Sequence, residues 1–225
     1  VKNTYDKEAA VLLVRTHYEL KRKELCIVHI GGYDGSWGEY IMSLMYPLRT
    51  RLYECEPHPA NHIKLFELLG DDCRVTIDAR AINIFNGQCK MYADASVVSQ
   101  SATTDANEID TDANCFDVKC VSFPTLFNEY KLDQIDLLRV NAEGAEYSAL
   151  VYNSDLSFLQ RVTTLQVCLH VHHSGYVGIG PNRLRNAFVK RVEDTGLKLV
   201  CGHDFEDVRK KVNVHTWQLY TRLET

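Results

Sequence analysis

The run Leu25-Cys26-Ile27-Val28-His29-Ile30, broken by Gly31-Gly32-Tyr33-Asp34-Gly35, constrains the fold more than any other feature of the sequence. Six mostly apolar residues closed by a glycine cluster are too few for a buried helix, so they read as a strand covered on both faces. Ser36 can cap a helix through about Tyr46, with Pro47 as its stop. The unit is therefore strand, glycine turn, helix, and it recurs. Strands are expected at 51–55, 74–78, 135–141 and 163–170, and helices at 58–69, 122–130, 146–159 and 181–195. Within residues 1–24, Ala9, Leu12, Leu13, Thr16 and Leu20 share helical spacing, which predicts a helix over 5–23 docked on the core.

This alternation implies an α/β fold, a single doubly wound, mostly parallel seven-stranded sheet with helices on both faces. The last two expected strands, 197–202 and 214–223, have no helix between them and close one edge as an antiparallel C-terminal hairpin. A dinucleotide-binding domain would instead continue strand, helix, strand. Residues 81–92, turning at Asn86-Gly87, carry a strong hairpin signal. At 93–114 the composition shifts to Asp, Ser, Thr and Ala, and a loop of that length is expected to act as a lid. The 225 residues fit one domain.

With 25 Lys+Arg against 30 Asp+Glu, net −5, the chain has no basic field to hold a nucleic acid. No apolar stretch approaches the ~20 residues that span a bilayer. Eight cysteines are scattered without a C-x-x-C pair, and no Asn-x-Ser/Thr sequon occurs, which points to a reducing, cytoplasmic setting. The sequence begins at Val1 without Met, leaving room for a preceding segment. No metal site is expected: His170, His172 and His173 lack a third ligand at recognisable spacing.

In such sheets ligands bind beyond the carboxyl ends of the strands. The first strand ends at Gly31-x-x-x-Gly35, where backbone N–H groups can approach a ligand and the following helix N-terminus favours an anionic group. The second ends at Glu56, 25 residues after Gly31, where a carboxylate can accept hydrogen bonds from both hydroxyls of a ribose. Together they specify a nucleoside-bearing ligand.

Three stretches, Val28 to Gly35, Tyr53-Glu54-Cys55-Glu56-Pro57-His58-Pro59, and Ile135-Asp136-Leu137-Leu138-Arg139-Val140-Asn141-Ala142-Glu143-Gly144-Ala145-Glu146, resemble the FkbM-type S-adenosylmethionine-dependent methyltransferases in order and spacing. The Glu-Gly-Ala-Glu element is the most specific of these. The resemblance implies a class I methyltransferase, Rossmann-like fold and S-adenosyl-L-methionine as cofactor. It places Gly31, Gly32, Tyr33, Asp34 and Gly35 at the methionine part, Glu56 at the ribose, Pro57 against the adenine, and Asp78 to Ala81 at the adenine edge. Asn141 to Glu146 would face the sulfonium and the acceptor. His29 and Asn141 stand where that family usually has acidic residues, which removes negative charge near a cationic cofactor.

The implied reaction is O-methylation of a small-molecule or glycan hydroxyl. Asn141 cannot be a general base. Candidates that can take a proton are Glu143, Glu146, His170 and His172, the two histidines sharing one face of an extended strand. Both histidines read equally as hydrogen-bonded residues at a sheet end. The alternative function is a catalytically reduced binding module that keeps the cofactor pocket. A nicotinamide oxidoreductase is disfavoured, because Gly31-x-x-x-Gly35 is not G-x-G-x-x-G.

Overall fold

The computed structural model describes residues 4–93, 115–170, 181–207 and 212–224. Apart from Ala93 the expected lid lies outside these residues, as does His172. Helix α1 (Thr4–Glu19) leads into β1 (Leu25–Ile30), α2 (Ser36–Leu44), β2 (Thr50–Cys55), α3 (Pro59–Leu69) and β3 (Val75–Asp78). Then come β4 (Ala81–Ile82), β5 (Gly87–Tyr92), β6 (Cys115–Val121), α4 (Phe123–Glu129), β7 (Ile135–Val140), β8 (Val162–His170), α5 (Pro181–Glu193), β9 (Lys198–Asp207) and β10 (Val212–Thr221).

The main sheet has the order β3-β2-β1-β7-β8-β10-β9. Every pairing from β3 to β8 is parallel, and β10 runs antiparallel to both of its neighbours. The expected seven-stranded sheet and its C-terminal hairpin are thus present, with β10 inserted between β8 and β9. Alternate side chains feed two cores: Val28 and Ile30 pack into one, Leu25 and Ile27 into the other. Strand order reverses between β1 and β7, and their carboxyl ends open a crevice there.

Four local expectations are corrected. The 81–92 segment is not a hairpin: β4 and β5 both pair with β6, which lies between them in a second sheet. Asn86 does not serve a two-residue turn, because its amide is bonded to Thr125 Oγ1 (2.9 Å) and accepts from the Ser122 N–H (2.9 Å) at the start of α4. The 146–159 helix is a π turn at Tyr147–Val151 and a 3-10 turn at Ser157–Arg161. Between them Asn153 and Asp155 side chains accept the N–H groups of Asp155 (3.0 Å) and Ser157 (2.8 Å), bonds that compete with helix. Helix α1 stops at Glu19, short of 23, where Lys21 turns left-handed at φ 51°. Ser36 is not the cap of α2: left-handed Gly35 is, and the Ser36 N–H donates to Asp34 Oδ1 (3.0 Å).

Candidate functional site

A cavity of about 290 Å³ lies at the ends of β1, β2 and β7, walled on its far side by β4 and β5. Of the residues expected at a ligand, Gly31, Tyr33, Glu56, Pro57, Ala81, Asn141 and Glu143 line it. Gly32, Asp34, Gly35, Asp78, Glu146 and His170 do not. Arg80, Ala142 and Ala145, inside the expected stretches 78–81 and 141–146, line it too, whereas sequence reasoning missed Ile30, Asn61, Ile82 and Met91.

The glycine loop differs from expectation in what its backbone does. The N–H groups of Gly31 and Gly32 both donate to the Cys55 carbonyl (2.9 and 3.1 Å), that of Tyr33 to Glu56 Oε2 (2.7 Å), and that of Gly35 to the Gly32 carbonyl (2.9 Å). The first three tie β1 to β2, the fourth closes the loop on itself, and none of the four is offered to a ligand. Gly31 sits at φ 86°, and a β-carbon there would collide with the Asn141 carbonyl. Its smallness serves the close approach of β1 and β7, sealed by the Asn141 N–H to the Ile30 carbonyl (2.9 Å).

Glu56 is 5% exposed. Its Oε2 accepts from Tyr33 and its Oε1 from the His58 N–H (2.8 Å), and the Asn61 side chain adds a further hydrogen bond. Burial outweighs these donors and lifts its pKa to about 7. The carboxyl group is therefore fixed in orientation at the cavity wall.

Asp78, at the end of β3, is turned away. Its carboxylate takes the Nε and Nη2 of Arg80 (3.0 and 2.7 Å) and the Tyr130 hydroxyl (2.9 Å). Arg80 also reaches Glu129 (2.7 Å) and lines the cavity in its place. The motif Asp78-x-Arg80 was visible, but nothing in the sequence said which of the two would face inward.

At the end of β7, Asn141 Oδ1 is buried without a hydrogen-bond partner in the cavity wall, an acceptor that a bound ligand can satisfy. Glu143, at φ 46°, places Oε1 3.1 Å from His170 Nε2. Glu146 is fully buried, with Oε1 2.7 Å from His170 Nδ1. Burial alone would lower the His170 pKa, but Glu146, Cys168 and Glu143 outweigh it and hold it well above its ordinary value. With a carboxylate oxygen against each ring nitrogen, His170 offers neither nitrogen to the cavity.

His29 is likewise displaced from its expected place beside the ligand. It is buried on the sheet face carrying α1, with Nδ1 2.7 Å from Glu54 Oε2. Arg139 Nε donates to His29 Nε2 (3.2 Å), which fixes a neutral ring that donates from Nδ1. Burial, followed by Arg139, lowers the His29 pKa well below its usual value. Glu54 passes under the glycine loop, since a β-carbon on Gly32 would meet its Oε2 at 2.8 Å. Arg139 is held between the rings of Trp37 and Trp217, 4.5 Å from each, and bonds Asp6 of α1 (3.0 Å).

No curated protein matches the sequence. Among solved structures, the fold is similar to Aeropyrum pernix fibrillarin in complex with natively bound S-adenosyl-L-methionine, at 16% identity and TM-score 0.50, covering 96% of this chain and 74% of that one. It is also similar to methyltransferase FkbM from Methylobacillus flagellatus KT, at 11% identity and TM-score 0.52, covering 97% of this chain and 56% of that one. A third, the Methanococcus jannaschii fibrillarin pre-rRNA processing protein, aligns at 12% identity and TM-score 0.52, covering 89% of this chain and 67% of that one. At such identities the likeness is one of fold. The sequence itself goes further: residues 29–216 match the methyltransferase FkbM domain, and the chain belongs to the FkbM methyltransferase family.

Proposed function

We propose that this methyltransferase binds S-adenosyl-L-methionine in the β1–β7 crevice and methylates a hydroxyl of a small molecule or glycan. The observation that carries the reading is Glu56, a buried carboxyl group locked by two backbone N–H groups at the cavity wall, where ribose hydroxyls can donate to it. Pro57 and Ala81 offer apolar surface to an adenine, and the orphaned Asn141 Oδ1 offers an acceptor to a ligand N–H or O–H. The cofactor supplies an electrophilic methyl on a sulfonium, so the acceptor oxygen bonds that carbon as the carbon–sulfur bond breaks towards sulfur. The hydroxyl proton must leave, and Glu143 is the cavity-lining carboxylate in the turn after β7 that can take it. Net charge of −5 weighs against a polyanionic acceptor such as RNA.

Calorimetric titration with S-adenosylhomocysteine tests the cofactor assignment, and turnover of labelled cofactor against pools of glycans and small alcohols tests the acceptor class. Absence of binding would remove the reading. Binding without turnover by any hydroxyl pool would favour the binding-module alternative.

A further inference from the structure

We propose that Glu146 and His170 are a buried positioning pair that holds the Glu143 carboxylate at the cavity wall, where it receives the proton of a hydroxyl acceptor. The inference rests on the methyl-transfer reading above.

The chain leaves β7 through two consecutive left-handed residues, Glu143 at φ 46° and Gly144 at φ 101°. A left-handed glutamate is a strained choice, and the turn it makes brings Glu143 and Glu146 to opposite edges of one imidazole. Glu146 Oε1 takes His170 Nδ1 (2.7 Å) and the His170 N–H (2.9 Å), while Oε2 takes the Gly144 N–H (3.0 Å). One fully buried carboxylate thereby fixes the ring, the end of β8 and the turn that carries Glu143. Both ring nitrogens face carboxylate oxygens, which only accept, so both carry protons. Groups against the ring include Glu143 and Glu146 from the turn after β7 and Cys168 Sγ, 3.8 Å from Nε2 on its own strand.

Of this set only Glu143 lines the cavity. The adjacent ring, 3.1 Å away, restrains the rotamer of Glu143, whose carboxylate is the proton acceptor. When an acceptor hydroxyl reacts, its O–H bond breaks, the electron pair stays on oxygen and the proton passes to Glu143. His170 keeps both of its protons throughout.

A pair that merely fastens β8 to the turn would leave the charge at the reacting centre untouched, so the test reads that charge. S-adenosylhomocysteine is neutral at the methyl position, whereas sinefungin carries an amino group there. The wild type should prefer sinefungin, and Glu143→Gln should reduce that preference by about 10-fold, the scale of one charge pair at close quarters. Glu146→Gln should reduce it by about 3-fold or more, with S-adenosylhomocysteine affinity within about twofold of wild type. A preference unchanged in Glu146→Gln but lost in Glu143→Gln would overturn the positioning role. A preference unchanged in both would overturn the placement of Glu143. Should the variants fail to fold, ¹⁵N spectroscopy of His170 in the wild type decides: a doubly protonated ring at neutral pH is expected, and a neutral tautomer overturns the proposal. If the wild type binds neither probe, the cofactor reading itself falls.

Discussion

Cofactor affinity should fall steeply as pH drops through about 7, because Glu56 titrates there. The Tyr33 and His58 N–H groups and the Asn61 side chain take three of the carboxylate's four lone pairs, leaving one for a ribose hydroxyl. Protonation occupies that site and turns an acceptor into a donor. If only the ionised form binds well, the apparent dissociation constant rises about tenfold per pH unit below the pKa, or about 1.4 kcal/mol. Between pH 8 and pH 6 the expected weakening is therefore about tenfold. The sign for stability is opposite. The folded pKa lies above the ordinary 4.5, so this group favours the fold most below that value, and roughly 3 kcal/mol is lost as pH rises from 4.5 to about 7. Titrations with S-adenosylhomocysteine from pH 5.5 to 8.5, paired with urea unfolding at each pH, measure both. Glu56→Gln supplies the control: it should bind roughly 1.5–3 kcal/mol more weakly at pH 8 and lose the slope. A wild-type dissociation constant flat across this range, or a slope retained in Glu56→Gln, refutes the reasoning.

Three further outcomes are expected. Gly31→Ala should lower unfolding free energy by more than the roughly 1–2 kcal/mol of a left-handed alanine, because its β-carbon also meets the Asn141 carbonyl; near-native urea stability would show that the β1–β7 contact is soft. Arg139→Met should cost roughly 3–5 kcal/mol by leaving Asp6 and Gln166 without their buried cation, read by urea unfolding, with a loss under about 1 kcal/mol counting against the network. Asn141→Asp should raise affinity for S-adenosylmethionine relative to S-adenosylhomocysteine by several-fold, since a carboxylate discriminates the sulfonium charge; an unchanged ratio would place residue 141 away from the sulfur.

The main sheet was legible because strands covered on both faces read as short, mostly apolar runs, as in Leu25–Ile30 and Ile135–Val140. The small sheet was not. Strand β4 has only two residues, and β6 hides its alternation, with buried Val118 and Cys120 alternating with exposed Asp117 and Lys119, after a polar stretch. That period of two was the available signal. Glu56 could be placed because a strand end fixes where its side chain must go. Arg80 could not, since its exchange of places with Asp78 depends on Tyr130 and Glu129, distant in sequence. The same holds for His29, whose partners Glu54 and Arg139 are defined only by strand pairing.

Those partners have a consequence for assembly of the sheet. Glu54, His29, Arg139 and Gln166 are directly opposite one another across β2, β1, β7 and β8, one polar line on an apolar face. A slip of one residue turns the line to the wrong side of the sheet. A slip of two keeps the side but sets Arg139 against Ile27, or His29 against Leu137, and strands buried charge without a partner. Only one alignment satisfies all four. Parallel strands that meet late in folding, from distant parts of the chain, are thus indexed by charge as well as by shape, and the same indexing brings Gly31, Glu56 and Asn141 level at the rim of the crevice.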